Sequence, residues 1–263
     1  MRAHLLQMDI AWEDPSANFA QVEELLDRAG AAPGDLVLLP EMFDTGFSLN
    51  TEVTADRDGR TLAFLRNLAR QRELLVQGGR TVLAPGEAKA TNRAPVFGAD
   101  GLLLCEYAKI HPFSFGREPE RFTGGAEVVT YPWQAGAGAL RVCPAICYDL
   151  RFPELFRRGL LAGAELFALG ANWPDARQSH WRALSIARAI ENQAFVLAVN
   201  RTGADPHLRY AGGSIAVGPK GAVLGELGAE RAALTVEIDP EAVRAWRRQF
   251  PAWRDLTLSL PAR

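Results

Sequence analysis

The chain has 263 residues, 48% of them hydrophobic and 23% charged, with a formal net charge of −2. That length is near the upper end for one domain and can bury a large core, and the composition is that of an ordinary globular protein rather than a disordered or fibrous one. The small net charge, with aromatics not interleaved among runs of Lys or Arg, argues against nucleic acid or an anionic membrane as a partner.

In chain order, HLLQMDI (4–10) predicts a strand and Asn18 to Ala29 a helix, with Phe19, Val22, Leu25 and Leu26 on one face. Pro33 and Gly34 break the chain before LVLLP (36–40), a continuous apolar run suited to a buried strand. Residues 60–71 return to helical spacing. LLVQGGRTVLA, RAPVFGA and LLLCEYAKI then read as strands, with Asp100-Gly101 a hairpin signal. VVTYPW and LRVCPAICY follow as strands. A helix runs from about Pro153 to Ala162, since proline at a first helical turn removes only an N–H that had no partner. AELFALGAN is a buried strand, 178–191 a helix, AFVLAVN (194–200) a strand, and GSIAVGPKGAVLGEL a hairpin turned at Pro219-Lys220-Gly221. A last strand, ALTVEID, leads to a helix from about Pro240 to Arg248. The tail, about 248–263, is too aromatic for a free end and is expected to pack on its own or a neighbouring subunit. No linker or short repeat divides 1–263, which therefore reads as a single α/β domain of mixed sheets covered by helices.

The apolar run at the N-terminus is too short for a signal peptide, and no stretch approaches the roughly 20 residues a membrane helix needs. Cys105, Cys143 and Cys147 form a sparse, odd set unlike a secreted disulfide framework, so a reduced, cytoplasmic protein is expected. Cys143 and Cys147 on one strand would lie about 13 Å apart, beyond disulfide reach. The histidines (His4, His111, His180, His207) are scattered, and no metal site or cofactor is expected.

Three stretches share a design in which a buried strand ends and a reactive group stands just beyond it. LVLLPEM presents Glu41, LLLCEYAKIHPF presents Lys109, and RVCPAICYDLRF presents Cys147. Each has a plainer alternative: a turn charge, a surface lysine, a core cysteine. Together they supply an acyl-transfer site. A thiol gains from a nearby base and a cation. Glu41 can accept its proton, while Lys109 favours the thiolate and donates to an oxyanion. The Tyr148 N–H, just after the nucleophile at a strand-to-helix turn, is a natural second donor. Spacing alone leaves open whether the three residues meet.

LLPEMFDTGF, YAKIHPF and CYDLRFPELFR resemble, in order, the Glu, Lys and Cys segments of the nitrilase (carbon–nitrogen hydrolase) superfamily, and the similarity extends over nearly the whole chain. It implies a four-layer α-β-β-α sandwich that associates through its helices into a homo-oligomer, a dimer or larger, with Glu41, Lys109 and Cys147 as a catalytic triad. It further implies a supporting glutamate, Glu118 or its neighbour Glu120, and a substrate loop at ANWPDAR that places Asn172 and Trp173 near the pocket. ARAIENQAFVLAVNRTG matches a segment in which Arg188, Glu191 and Asn192 serve as structural support. The closest resemblance is to bacterial omega-amidase-like members, which implies a small-molecule amide substrate such as 2-oxoglutaramate. Nitrile or N-carbamoyl amino acid hydrolysis, or a non-catalytic scaffold, are the alternatives. Arg151 either pairs with a substrate carboxylate or closes an internal salt bridge to Asp149, Glu154 or Glu191. Phe43, Phe113, Phe115 and Trp173 are expected to wall the pocket.

Overall fold

The computed structural model describes residues 1–257. Strand β1 (Arg2–Gln7) leads through helix α1 (Pro15–Ala29) to β2 (Leu36–Leu38), then through α2 (Thr51–Thr54) and α3 (Arg60–Arg72) to β3 (Leu75–Gln77). Strands β4 (Arg80–Val82), β5 (Thr91–Phe97) and β6 (Leu103–Ala108) follow, and then the hairpin of β7 (Tyr131–Ala135) and β8 (Gly138–Ile146). From β8 the chain runs through α4 (Pro153–Leu161), β9 (Leu166–Ala171), α5 (Gln178–Asn192) and β10 (Phe195–Asn200). A short ribbon of β11 (Thr202–Ala204) and β12 (Arg209–Ala211) precedes the hairpin of β13 (Ile215–Val217) and β14 (Val223–Glu226). Strand β15 (Ala232–Glu237) and helix α6 (Pro240–Gln249) follow.

The strands form two large mixed sheets. One has the order β15-β1-β2-β3-β5-β4, with β6 also paired to β5; the other has the order β14-β13-β10-β9-β8-β7. At the heart of each lie three parallel strands, β1-β2-β3 and β8-β9-β10, flanked by antiparallel ones. Each trio is wound by helical crossovers, so a β-α-β-α-β design appears twice, although no repeat is visible in the sequence.

Two-residue periodicity sorts the side chains into layers. Leu5, Leu38, Val142, Leu166 and Leu197 meet between the sheets, together with Trp133 and Tyr131. The alternate residues Leu6, Val37 and Val76 face Val22 and Leu25 of α1 and Leu65 and Leu68 of α3. On the far side, Cys143, Phe167, Leu169 and Val196 face Leu155 and Phe156 of α4 and Trp181 and Ala189 of α5. The result is the four-layer α-β-β-α sandwich. Each fully buried aliphatic side chain contributes about 1.5–3 kcal/mol. Cys143 is one of these fillers: a Cβ added at Gly159 of α4 would stand 2.9 Å from its sulfur.

One polar strut crosses the apolar middle. Gln77 at the end of β3 donates through Nε2 to the Ala168 carbonyl on β9 at 3.0 Å and accepts from the Tyr131 hydroxyl on β7 at 2.9 Å. All three partners are buried, so the bonds tie the sheets at one register.

Several elements depart from the expected boundaries: β1 is Arg2–Gln7 rather than 4–10, and β7 starts at Tyr131 rather than at the head of VVTYPW. Helix α1 starts at Pro15 rather than Asn18, because Asp14 caps it by accepting from the Ala17 N–H at 3.0 Å and proline fits the first turn. LLVQGGRTVLA is two strands, broken at Gly78-Gly79. At the C-terminus, Arg247 donates to the carbonyls of Ala164, Asn192 and Gln193, and the Gln193 side chain bonds Phe250 O and Trp253 N. The described part of the tail thus docks on the end of α5 of its own chain; residues 258–263 of the predicted tail lie outside the described residues. No helix among the described residues is long and apolar enough to cross a membrane.

Candidate active site

Strands β2, β8 and β9 end on the same side of the sandwich, where parallel strands of α/β proteins open a crevice. Glu41 stands three residues beyond β2, at a turn in which Met42 adopts φ +44°. Two glycines let the backbone pass. A Cβ at Gly79 would fall 2.4 Å from Met42 N, and one at Gly170 of β9 would fall 2.6 Å from Leu39 O. Lys109 follows β6, its N–H donating to Asn92 O of β5 at 2.9 Å.

Cys147 opens a 3₁₀ turn, Cys147–Arg151, directly after β8, with φ +46°. A non-glycine residue there carries strain on the order of 1–3 kcal/mol, maintained only where the surroundings enforce it. Asp149 supplies that enforcement. Its buried carboxylate accepts from Ile146 N (3.0 Å), Tyr107 Oη (2.7 Å) and His111 N (3.1 Å), and lies 2.8 Å from His111 Nδ1. Tyr107 and His111 flank Lys109 in sequence, so one carboxylate ties the lysine segment to the cysteine turn.

The three predicted residues meet. Lys109 Nζ lies 2.7 Å from Glu41 Oε1 and 2.8 Å from Glu118 Oε2, and the Cys147 thiol is close enough to Glu41 and Lys109 for both charges to act on it. All four side chains are buried. Glu120 is instead exposed and paired with Arg117, so of the two candidate glutamates only Glu118 joins the cluster. Asn172 holds Glu41 from β9, its N–H donating to Oε2 at 3.1 Å. Asn92 donates to Glu41 Oε1 at 2.7 Å and to Glu118 Oε1 at 3.2 Å.

Charge follows from this geometry. Burial alone would raise the Glu41 carboxyl, but the Lys109 ammonium and the hydrogen bonds outweigh it and hold the group below its usual range. Burial likewise works against the Lys109 charge, yet Glu118 and Glu41 keep the ammonium well above its ordinary value. Glu118 is pushed up, by burial and by the nearby Glu41 charge. The Cys147 thiol is driven far up by burial and then by Glu41, with Lys109 opposing. The resting pair is therefore thiol and carboxylate. Lys109 does act toward the thiolate, but burial and the Glu41 charge outweigh it.

Cys147 lines a cleft walled by Phe47, Phe113, Tyr148, Trp173, Leu208 and Tyr210, with Asn172, Arg151 and Arg177 also lining it. The predicted Phe113, Asn172 and Trp173 are there. Phe43 is not: it is fully buried beneath α1 and α3, against Phe19 and Phe64, because the turn after Glu41 directs it into the outer core. Phe47, four residues on, takes the wall position, its ring centroid 5.5 Å from Lys109 Nζ. Phe115 is 82% exposed and stands at the rim. Tyr148 is the second residue of the 3₁₀ turn, where an N–H has no intrahelical partner.

The internal salt bridge offered for Arg151 does not form. The Asp149 oxygens are engaged as above, and Glu191 pairs with Arg188 at 2.9 Å. Arg151 lies over the Trp173 ring at 4.7 Å and reaches His180 Nδ1 at 3.3 Å. Arg188 also donates to Leu150 O, and Asn192 donates to Arg188 O, both within the scaffold. Asn92, Arg177, Phe47 and Tyr210 escaped the sequence reading. Arg177, six residues beyond the strand-end Ala171 in ANWPDAR, and Phe47, the last residue of LLPEMFDTGF, lay in segments already suspected; Asn92 and Tyr210 carried no signal.

The carbon–nitrogen hydrolase family model matches residues 2–248. The chain belongs to the carbon–nitrogen hydrolase family. It is 35% identical to a Staphylococcus aureus hydrolase in the agr operon, over 99% of both chains. It is 33% identical to a 2-oxoglutaramate amidase of Bacillus subtilis, over 97% of both. Among solved structures, a CN-hydrolase superfamily protein of Xanthomonas campestris carrying an arsenic adduct in its active site superposes with a TM-score of 0.91. That protein is 34% identical, and the match covers 100% of this chain and 99% of that one.

Proposed function

We propose that the protein is an amidase that hydrolyses a small ω-amide carrying a carboxylate at its far end, with 2-oxoglutaramate the candidate substrate. The observation that carries this reading is a buried Glu41–Lys109–Glu118 cluster around Cys147 in the lining of an aromatic cleft, with Arg151 also lining the cleft and paired to no acid among the described residues. The similarity to a 2-oxoglutaramate amidase supports the same substrate.

In this mechanism Glu41 takes the thiol proton as Cys147 Sγ bonds to the amide carbon. The oxyanion is met by the Tyr148 N–H and by Lys109, whose ammonium has three donors and uses two on the glutamates. Glu41 returns the proton to nitrogen, the C–N bond breaks, and ammonia leaves a thioester. Water, deprotonated by Glu41, adds to the thioester; the C–S bond breaks and the thiol regains its proton. Glu118 orients Lys109 and the substrate amide, while Asn92 and Asn172 hold the glutamates. Arg151 binds the remote carboxylate.

Ammonia release across 2-oxoglutaramate, propionamide, a simple nitrile and an N-carbamoyl amino acid tests the proposal. Turnover is expected to be greatest on 2-oxoglutaramate, and Arg151→Met should lower kcat/KM there at least about tenfold while sparing propionamide. Carbon dioxide release from the carbamoyl compound as the dominant reaction would overturn it.

We infer that the enzyme works in the cytoplasm as a homo-oligomer paired through its α4 and α5 face. Leu161 and Ile190 are exposed there, and Ile190 packs beside the β13–β14 turn at Gly221, with Leu224 exposed nearby on β14. Sedimentation should give a dimer or larger, and Ile190→Glu with Leu161→Glu should shift it toward monomer; a monomeric wild type would refute the pairing.

A further inference from the structure

Arg177 ends a 3₁₀ turn, Asp175–Arg177, in the loop after β9. Its carbonyl fixes the loop by accepting from Trp173 Nε1 at 2.8 Å, so its side chain is not needed for that bond. The guanidinium lies 5.4 Å from the Phe113 ring centroid and 5.6 Å from that of Phe115, and Arg177 lines the same cleft as Cys147. No carboxylate pairs with it among the described residues. Arg151 is held over Trp173 in the same cleft. Two guanidiniums from different elements therefore line one cleft, and none of the residues lining it is acidic.

A guanidinium over an aromatic ring uses its face and keeps its in-plane N–H donors for a ligand. One such fork satisfies one carboxylate. A second uncompensated cation in a half-enclosed cleft repels the first unless the ligand brings a further acceptor. An oxo group next to the carboxylate is such an acceptor. An ammonium group in the same place would be a third positive charge with no acid to meet it.

We propose that Arg177 is a specificity-determining residue that donates to the 2-oxo oxygen beside the substrate carboxylate, so that the cleft selects ω-amides of 2-oxo acids over those of unsubstituted diacids and of 2-amino acids. This rests on the ω-amide reading above and adds the group that reads the 2-position.

The test is ammonia release by wild type, Arg177→Met and Arg177→Lys on 2-oxoglutaramate, glutaramate and glutamine, with melting temperatures alongside. Methionine keeps contact with Phe113 while removing the donors. Wild type should prefer 2-oxoglutaramate to glutaramate and glutaramate to glutamine. Arg177→Met should lose about 10- to 100-fold in kcat/KM on 2-oxoglutaramate, the worth of one charge-assisted hydrogen bond, and change less than about threefold on glutaramate. Lysine should restore part of the loss. Equal losses on both amides would overturn the role of Arg177 and leave the ω-amide reading standing; a wild type inactive on both would overturn that reading itself. As a check that needs no variant, 2-oxoglutarate should inhibit propionamide hydrolysis more tightly than glutarate, and equal inhibition would also overturn the proposal.

Discussion

Cys147 depends on Glu41 to remove its proton, whereas the carboxylates that act on the other two thiols are engaged elsewhere: Glu106, beside Cys105, pairs with Arg80 and Arg93, and Asp149, which acts on Cys143, accepts from Ile146, Tyr107 and His111. Burial, helped by Glu106, pushes the Cys105 thiol up to about 12, and Cys143 is buried in the outer core. An electrophilic amide should therefore modify Cys147 alone, as read by peptide mass mapping, and Glu41→Gln should slow that modification by about 100-fold or more. Cys147→Ala should abolish ammonia release. An unchanged labelling rate in Glu41→Gln would remove Glu41 as the base. At this scale the sequence was legible where a reactive side chain followed an apolar run, as at Glu41, Lys109 and Cys147. Asn92 was invisible because it lies inside β5 and acquires its role only when β5 pairs with β3 and β6 in the sheet that carries Glu41. Phe43 misled because the positive φ at Met42 turns the next side chain away from the crevice, an event that no spacing rule registers.

Between the elements, Asp44 joins three segments. Its carboxyl accepts from Thr61 Oγ1 of α3 at 2.8 Å and its carbonyl accepts from Asn18 of α1 at 2.7 Å, anchoring the turn after Glu41 to both helices. Full burial, with some help from Asp56, raises this carboxyl to about 7. The folded value exceeds the unfolded one, so the group stabilises the fold fully below about pH 4, and that contribution is lost as pH rises through 7. Asp44→Asn should gain on wild type across that window, by on the order of 4 kcal/mol above pH 8. Urea unfolding at pH 5 and pH 8 measures this; a difference between variant and wild type that does not grow with pH would refute it. Helix interiors and buried strands were readable from periodicity. The short ribbon β11–β12 and the one-turn α2 were not, because neither is long enough to show a period and both are held by tertiary contacts.

For the whole molecule, the layer order follows from alternation along β1, β8, β9 and β10. The doubling of the β-α-β-α-β unit does not, because the two copies share a pattern of burial rather than of residues. The site joins these copies. Glu41 and Lys109 are carried by the first sheet, and Cys147 and Asn172 by the second.

The Gln77 strut acquires a meaning from that division. Base and nucleophile ride on separate plates, and the bonds from Gln77 to Tyr131 and Ala168 are the pin that keeps the plates from sliding. Misplacement of a reacting pair by about 1 Å can cost 100-fold in rate, while the fold loses only a few hydrogen bonds among a large apolar core. Gln77→Leu should therefore retain its circular dichroism spectrum and a cooperative melt yet lose about 100-fold in kcat. Full activity in that variant would show that packing alone aligns the plates. Turnover in this enzyme works as a vernier, registering shear between the two halves long before any spectroscopic sign of unfolding.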